Sequence, residues 1–320
     1  MPASKYRTQA EGAILEFKFQ QDLTMSVVNA PFTIAPPNYQ LPIGLTLGSV
    51  VLQVASLDQS IRFYERVIGL EVLTRTNDSA SLGTSDGHEL VRLQEKAGVQ
   101  PVPPRGRLGL YHFAILLPSR SALGQFVAHL RDIGFRAGMS DHLVSEAVYL
   151  DDVDGLGIEV YADRPRDSWK LDGTAIAMAT DPLDVESLIA AGIGTPWAAI
   201  PNGSQIGHVH LYVRDLTASA RFYHEALGLD RVTLQFPGAL FMSAGGYHHH
   251  LGTNIWAAGS PVATAADARL LEWTLRLPLP SDVVDVAQSL ASNGNAVTWE
   301  NGDVVATDPW GTNVRISSAP

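Results

Sequence analysis

Three histidines stand side by side at His248, His249 and His250, inside the stretch SAGGYHHHLGTNIW at residues 243–256. Imidazole titrates near neutral pH, so such a cluster can move protons, hold a metal or sit solvated on a surface. A purification tag is a poor explanation, because tags lie at chain ends in Gly/Ser context. Other histidines occupy strand-like surroundings: His112 in GLYHFAILLP, His208 and His210 in GHVHLYV, and His142 at the head of HLVSEAVYL. Taken singly, a strand histidine is more often a hydrogen-bonded core or surface residue than a ligand. Glu159 follows Ile158 in the apolar run GIEVY, where an unpaired carboxylate would be costly. The chain has no cysteine, which excludes disulfides, thiolate metal sites and thiol catalysis. Any transition metal must therefore be held by His, Asp or Glu.

These residues are carried on a repeated element. LGSVVLQVASLDQSIRFYERVIGL (47–70) aligns without gaps on IGHVHLYVRDLTASARFYHEALGL (206–229), with identities that include Arg62/Arg221, Phe63/Phe222, Tyr64/Tyr223 and Gly69/Gly228. Each copy opens with an alternating strand pattern and runs into a helix that closes at glycine. A weaker repeat follows each copy, at 111–135 and 271–295, with a strand, a turn at Pro118 or Pro278, and a helix. Both end in a late strand after an Asp and a Gly turn, DDVDGLGIEVY and TDPWGTNVRI. The pattern predicts an α+β chain of four βαβββ modules, at 47–98, 109–163, 206–260 and 269–317, paired into two cupped sheets. It divides into an arm (1–40), a first module pair (41–163), a linker with a helix near 181–192 (164–204), and a second module pair (205–320).

Composition limits the function classes. The 320 residues are 46% hydrophobic and 17% charged, as in a globular protein, and contain no apolar run long enough to span a membrane. The N-terminus has no apolar signal core, so the expectation is a cytoplasmic protein. A net charge of −11 with no basic cluster argues against nucleic acid and anionic membranes as partners.

The segments GHVHLYVRDLTASARFYHEALGL and DGLGIEVYADRP resemble the vicinal oxygen chelate superfamily. The whole chain from about residue 45 to 316 resembles its ring-cleaving extradiol branch, most closely the bacterial catechol-2,3-dioxygenases. The motifs that carry this resemblance stand at 109–118, 142–165 and 243–256. It implies the glyoxalase/bleomycin resistance/extradiol dioxygenase fold. It also implies a divalent metal held by a first-strand His from each of two paired modules and a last-strand Glu. His208 matches the first-strand ligand in module 3, where module 1 has Ser49. His112 matches the second in module 2, where module 4 has Glu272. Glu159 matches the carboxylate, where module 4 has Arg315, which cannot ligate. Only modules 2 and 3 together assemble His112, Glu159 and His208, so the metal cleft is expected between them. Modules 1 and 4 are left to pair with each other or to offer an oligomer interface.

The resemblance further implies an acid/base histidine on the last strand of module 3. If the triplet lies in a strand, His249 points opposite to His248 and His250. The family's spacing to Leu251 favours His249, with His248 as second choice. His142 matches a histidine that hydrogen-bonds the bound phenolate, and His210 shares a strand face with His208. The family's tyrosine further along the His142 strand has no clear match, because Asp151 fills the place and Tyr149 falls two residues short. His88, His129 and His224 read as solvated. The expected activity is Fe(II)-dependent cleavage of a catechol-type diol beside its hydroxyls with O2, in aromatic catabolism. The ligand types admit Mn(II) equally. A glyoxalase-type isomerase or lyase and a ligand-sequestering binding protein are the alternatives. The first needs a fourth ligand that is missing from Leu251–Trp256, and the second usually lacks the metal ligands.

Overall fold

The computed structural model describes residues 33–172, 175–233 and 236–319. Module 1 comprises strand β1 (Thr46–Val54), helix α1 (Leu57–Phe63), β2 (Glu71–Arg75), β3 (Ser79–Gly83) and β4 (Glu89–Glu95). Module 2 comprises β5 (Gly109–Leu116), α2 (Arg120–Asp132), β6 (Gly138–Asp141), β7 (Ser145–Asp151) and β8 (Gly157–Asp163). The linker carries the short strands β9 (Leu171–Asp172) and β10 (Ala175–Ile176), then α3 (Val185–Ala191), inside the span expected for its helix. Module 3 comprises β11 (Gln205–Tyr212), α4 (Leu216–Ser219), β12 (Asp230–Thr233), β13 (Ala239–Ser243) and β14 (Leu251–Asn254). Module 4 comprises β15 (Arg269–Leu277), α5 (Pro280–Ser292), β16 (Val297–Glu300), β17 (Asp303–Thr307) and β18 (Asn313–Ser318).

The strands form two eight-stranded sheets, β16-β17-β18-β15-β1-β4-β3-β2 and β12-β13-β14-β11-β5-β8-β7-β6. Module 4 joins module 1 and module 3 joins module 2, in each case through antiparallel first strands. The sheets thus do not follow the consecutive halves 41–163 and 205–320, since each half gives one module to each sheet.

What ties consecutive modules together is the repeated tyrosine. The Tyr64 hydroxyl of module 1 donates to Asp152 in the Asp-Gly turn of module 2 at 3.1 Å. Tyr223 of module 3 donates to Asp308 of module 4 at 2.7 Å. Both turns are closed by the same carboxylates, which accept from backbone N–H groups two and four residues on. The repeated glycines also have a cause. After α1 and α4 the helices continue with wider turns to Ile68 and Ala226, and the chain then reverses at Gly69 (φ 84°) and Gly228 (φ 98°).

Of the arm 1–40, residues 1–32 lie outside the described residues. Ile34 bridges Arg231 and Gln40 donates to Asp230 at 2.7 Å, so the end of the arm packs on module 3. His224 corrects the sequence reading: it is buried, and its Nδ1 donates to the Leu229 carbonyl at 2.7 Å. His88 and His129 are half-buried.

Strand alternation sorts the module 2–module 3 sheet into two faces. Phe113, Ile115, Ile158, Val160, Val209 and Leu211 pack into the main core with Leu123, Phe126 and Leu130 of α2. The other face carries His112, Ala114, Glu159, Tyr161, His208 and His210, and this face forms the cleft.

Candidate metal centre

Sheet register brings the three ligating residue types together. On β5, Ala114 pairs with His208 across the antiparallel β11 and with Glu159 across the parallel β8. The methyl side chain of Ala114 leaves room between imidazole and carboxylate. His112, two residues earlier, rises beside them on the same face. His112 Nε2 and His208 Nε2 each face the same oxygen, Glu159 Oε2, at 3.0 Å. One ligand atom from each of the three residues lies within 4.8 Å of the other two. All three side chains are buried.

Burial pushes the His112 and His208 imidazoles below their ordinary range, against the pull of Glu159. Burial also pushes the Glu159 carboxyl up, but the facing His208 and His112 more than reverse this and hold it well below the usual carboxylate range. Neutral imidazoles beside an ionised carboxylate are the protonation states that metal binding requires. Among the described residues, His112 Nδ1 and His208 Nδ1 have no hydrogen-bond partner, and His112 Nε2 faces Oε2 without hydrogen-bond alignment. Buried polar atoms are rarely left so; a cation seated among His112 Nε2, His208 Nε2 and Glu159 Oε2 would account for the unaligned Nε2, while the two Nδ1 atoms stay without a partner. The donor set therefore fits a divalent transition metal.

His112 and Glu159 line a cavity of about 620 Å³, the size of a small-molecule site, and His208 lies behind them. Tyr111, Phe236, Phe241 and Trp256 form its aromatic walls. His249 lines it, with its ring centroid 4.1 Å from that of His208. The triplet is not in a strand, however. It lies in the loop between β13 and β14, after a turn at Gly245 (φ 64°) and Gly246 (φ 67°). All three histidines are buried, each in its own direction. His248 turns to Asp163, with Nε2 to Oδ1 at 2.9 Å, while its Nδ1 lies 2.7 Å from His249 Nδ1. His250 Nδ1 accepts from the Ala244 N–H at 3.2 Å.

His142 also lines the cavity. Its Nδ1 donates to the Ala179 carbonyl at 2.6 Å, so Nε2 accepts from the Tyr149 hydroxyl at 2.5 Å. Tyr149 pairs with Glu159 across β7 and β8 and shares its face. This corrects the expectation for that strand: Tyr149 stands in the cavity, whereas Asp151 is exposed at the end of β7. His210 is buried beside His112 and accepts from the Asn254 amide at 3.0 Å. A Cβ on Gly252 would come within 2.8 Å of the His210 ring, so glycine makes room for it.

Sequence reasoning missed Asn254, Asp163 and Tyr247, and it set Tyr149 aside as two residues short. Period-two counting from Glu159 would have found Tyr161 and Asp163 on the same face. In the other sheet, the places of His208, His112 and Glu159 hold Ser49, Glu272 and Arg315. There Ser49 donates to Glu89 at 2.7 Å, and Arg315 pairs with Glu272 at 2.6 Å and Glu300 at 2.8 Å. A side-chain cation thus stands among the carboxylates there.

Residues 46–160 and 205–316 match the model of the Glyoxalase/Bleomycin resistance protein/Dioxygenase superfamily. The chain is 41% identical over 268 residues to the catechol-2,3-dioxygenase of Bacillus subtilis (strain 168), covering 82% of this chain and 93% of the relative. Among solved structures, one from Bacillus subtilis subsp. subtilis str. 168, described provisionally as a dioxygenase, aligns with a TM-score of 0.61 at 16% identity, over 88% of this chain and 87% of the other. Glyoxalase I from Zea mays aligns with a TM-score of 0.50 at 16% identity, over 85% of this chain and 92% of the other. At such identities these two likenesses concern the fold.

Proposed function

The chain belongs to the Glyoxalase/Bleomycin resistance protein/Dioxygenase superfamily, and from that premise we propose that it is an Fe(II)-dependent extradiol dioxygenase. Its substrates are a catechol-type diol and O2, and we place the reaction in the cytoplasm. The observation that carries this reading is the convergence of two buried imidazoles on one carboxylate oxygen, beside an aromatic-walled cavity. The extent of the likeness to the Bacillus catechol-2,3-dioxygenase supports it.

His112, Glu159 and His208 would hold the ion. When bound, Fe(II) supplies open positions at which the diol and dioxygen meet; the ligand types suit Mn(II) as well. The protein supplies the rest. Tyr111, Phe241 and Trp256 offer faces and edges to an aromatic ring and keep water from it. His249 takes the phenolic proton as the diol binds and returns it as the ring opens. The Tyr149 hydroxyl, held by its hydrogen bond to His142, orients the second oxygen of the diol. Gly252 occupies the pseudo-twofold counterpart of Glu159, where a glyoxalase-type isomerase would need a fourth ligand. The site is thus left with three ligands and free positions.

The test is oxygen uptake with catechol after anaerobic reconstitution with Fe(II) or Mn(II). The expected result is one O2 consumed per catechol, with a coloured ring-opened product. No oxygen uptake with either ion would overturn the assignment.

A further inference from the structure

The line of groups behind His249 ends at an acid that the metal site does not use. Asp163 lies on β8, four residues beyond Glu159, and opens on a second cavity of about 270 Å³ away from the metal. It receives the Tyr247 hydroxyl at 3.0 Å, and Tyr247 in turn accepts from Tyr161 at 2.7 Å. It also faces His248 Nε2 at 2.9 Å. A carboxylate accepts and does not donate, so His248 carries its proton on Nε2. In the neutral ring Nδ1 then holds a lone pair, and it faces His249 Nδ1 at 2.7 Å. Two lone pairs cannot approach so closely, so His249 donates from Nδ1. Its Nε2 makes no hydrogen bond among the described residues and is left as a lone pair.

We propose that Asp163, acting through His248, is a positioning residue that fixes His249 in the Nδ1-protonated tautomer, so that a bare Nε2 serves the cavity as a base. This rests on the reading of the chain as a catechol dioxygenase only for what the base acts upon. Without Asp163 either direction of the histidine pair is available. With it, only one leaves His249 able to accept a phenolic proton. Tyr247, itself held by Tyr161, hydrogen-bonds both oxygens of the carboxylate and keeps it in place beside His248. The His248 ring packs against both Tyr247, at 4.1 Å between centroids, and Trp169, at 5.4 Å, which limits its rotation.

Two readouts test this. The first does not depend on activity: long-range 15N–1H correlation spectra of histidine-labelled, zinc-loaded protein, with the His249 signal assigned by its loss in His249→Gln. The wild-type protein should show His249 protonated at Nδ1, and Asp163→Asn, whose amide can donate to His248 Nε2, should move that proton to Nε2. A wild-type His249 protonated at Nε2 overturns the proposal, even if the protein cleaves no catechol. The second readout is kinetic, on the iron-loaded protein. Asp163→Asn should lower kcat by roughly 10²–10⁴-fold, the range of general acid–base groups. Metal content and KM should be unchanged, the solvent deuterium effect on kcat should rise, and Asp163→Glu should recover most of the rate. His248→Phe should show the same loss, which guards against misfolding of the first variant. Wild-type kcat in Asp163→Asn, beside an active parent, overturns the proposal and leaves the dioxygenase reading standing.

Discussion

Gly207 immediately precedes His208, a proposed metal ligand, and its lack of a side chain is a steric requirement. A Cβ at this position would overlap the Tyr161 hydroxyl and come within 2.7 Å of Cζ and 3.0 Å of Cε1. Tyr161 is fully buried, and its hydroxyl is hydrogen-bonded to Tyr247 at 2.7 Å. The ring therefore cannot move aside without losing that bond. Gly207→Ala should cost about 1–3 kcal/mol for overpacking. The strained or broken hydrogen bond should add about 1 kcal/mol. With an unfolding entropy of roughly 2 cal/mol/K per residue over a chain of this size, the total lowers Tm by about 3–6 °C. Differential scanning calorimetry of metal-loaded protein reads this directly. Tyr161→Phe removes the overlapping oxygen but leaves the ring carbons, so Gly207→Ala should cost less in a Tyr161→Phe background than alone. A Gly207→Ala variant as stable as the parent, or a strictly additive double mutant, would refute the packing argument.

Three other outcomes follow from the same geometry. Burial pushes the His250 imidazole down to about 3, below its unfolded value of about 6.5, so the fold favours the neutral form. The stability this group contributes is present above pH 6.5 and is lost as pH falls through 6.5 toward 3, by about 1.4 kcal/mol per unit, or roughly 2 kcal/mol by pH 5. Urea melts at pH 8 and pH 5 should differ less in His250→Gln, and an unchanged difference removes His250 as a cause. Tyr149→Phe deprives His142 Nε2 of its donor, worth about 1 kcal/mol, so turnover should fall roughly fivefold with bound metal unchanged; loss of metal would mean Tyr149 supports the ligands instead. Arg315→Met leaves Glu272 and Glu300 without their cation, and since the guanidinium is 24% exposed the cost should be about 1–3 kcal/mol, partly recovered by adding Glu272→Met. Metal content should not change in either variant.

How much of this could be read beforehand depends on range. The repeat Arg62/Arg221 to Gly69/Gly228 was legible because helix ends, a turn glycine and a latching tyrosine each demand a residue type. His112, Glu159 and His208 were legible as a set because the family resemblance names the strand positions and only modules 2 and 3 together fill all three; module 4 keeps Glu272 but has Arg315 at the carboxylate position. The partnership of the outer modules was reachable only by elimination, as one of two options, since nothing local to β1 or β15 states that they pair across more than 200 residues. The strand placement of the triplet was misread for a physical reason, although the favoured His249 is the one that lines the cavity. Period-two alternation holds only in extended backbone, and the Gly245–Gly246 turn takes the chain out of it. Three adjacent histidines can then all be buried in different directions. Tyr149 was passed over because the count ran from His142 around a turn, where register is lost, and not from Glu159 across the ladder, where it is kept. Asp163 belongs to the same strand face and went unread because its partner His248 was expected in a strand.

The central claim is that His112, Glu159 and His208 hold the one ion on which catechol cleavage depends. Anaerobic titration of Fe(II) into metal-free protein, followed at each point by the initial rate of oxygen uptake with catechol, tests it most directly. The account predicts a linear rise that breaks at one equivalent per chain and is absent in His112→Ala and Glu159→Gln. A rate independent of added iron, or the same one-equivalent break in either variant, would contradict it.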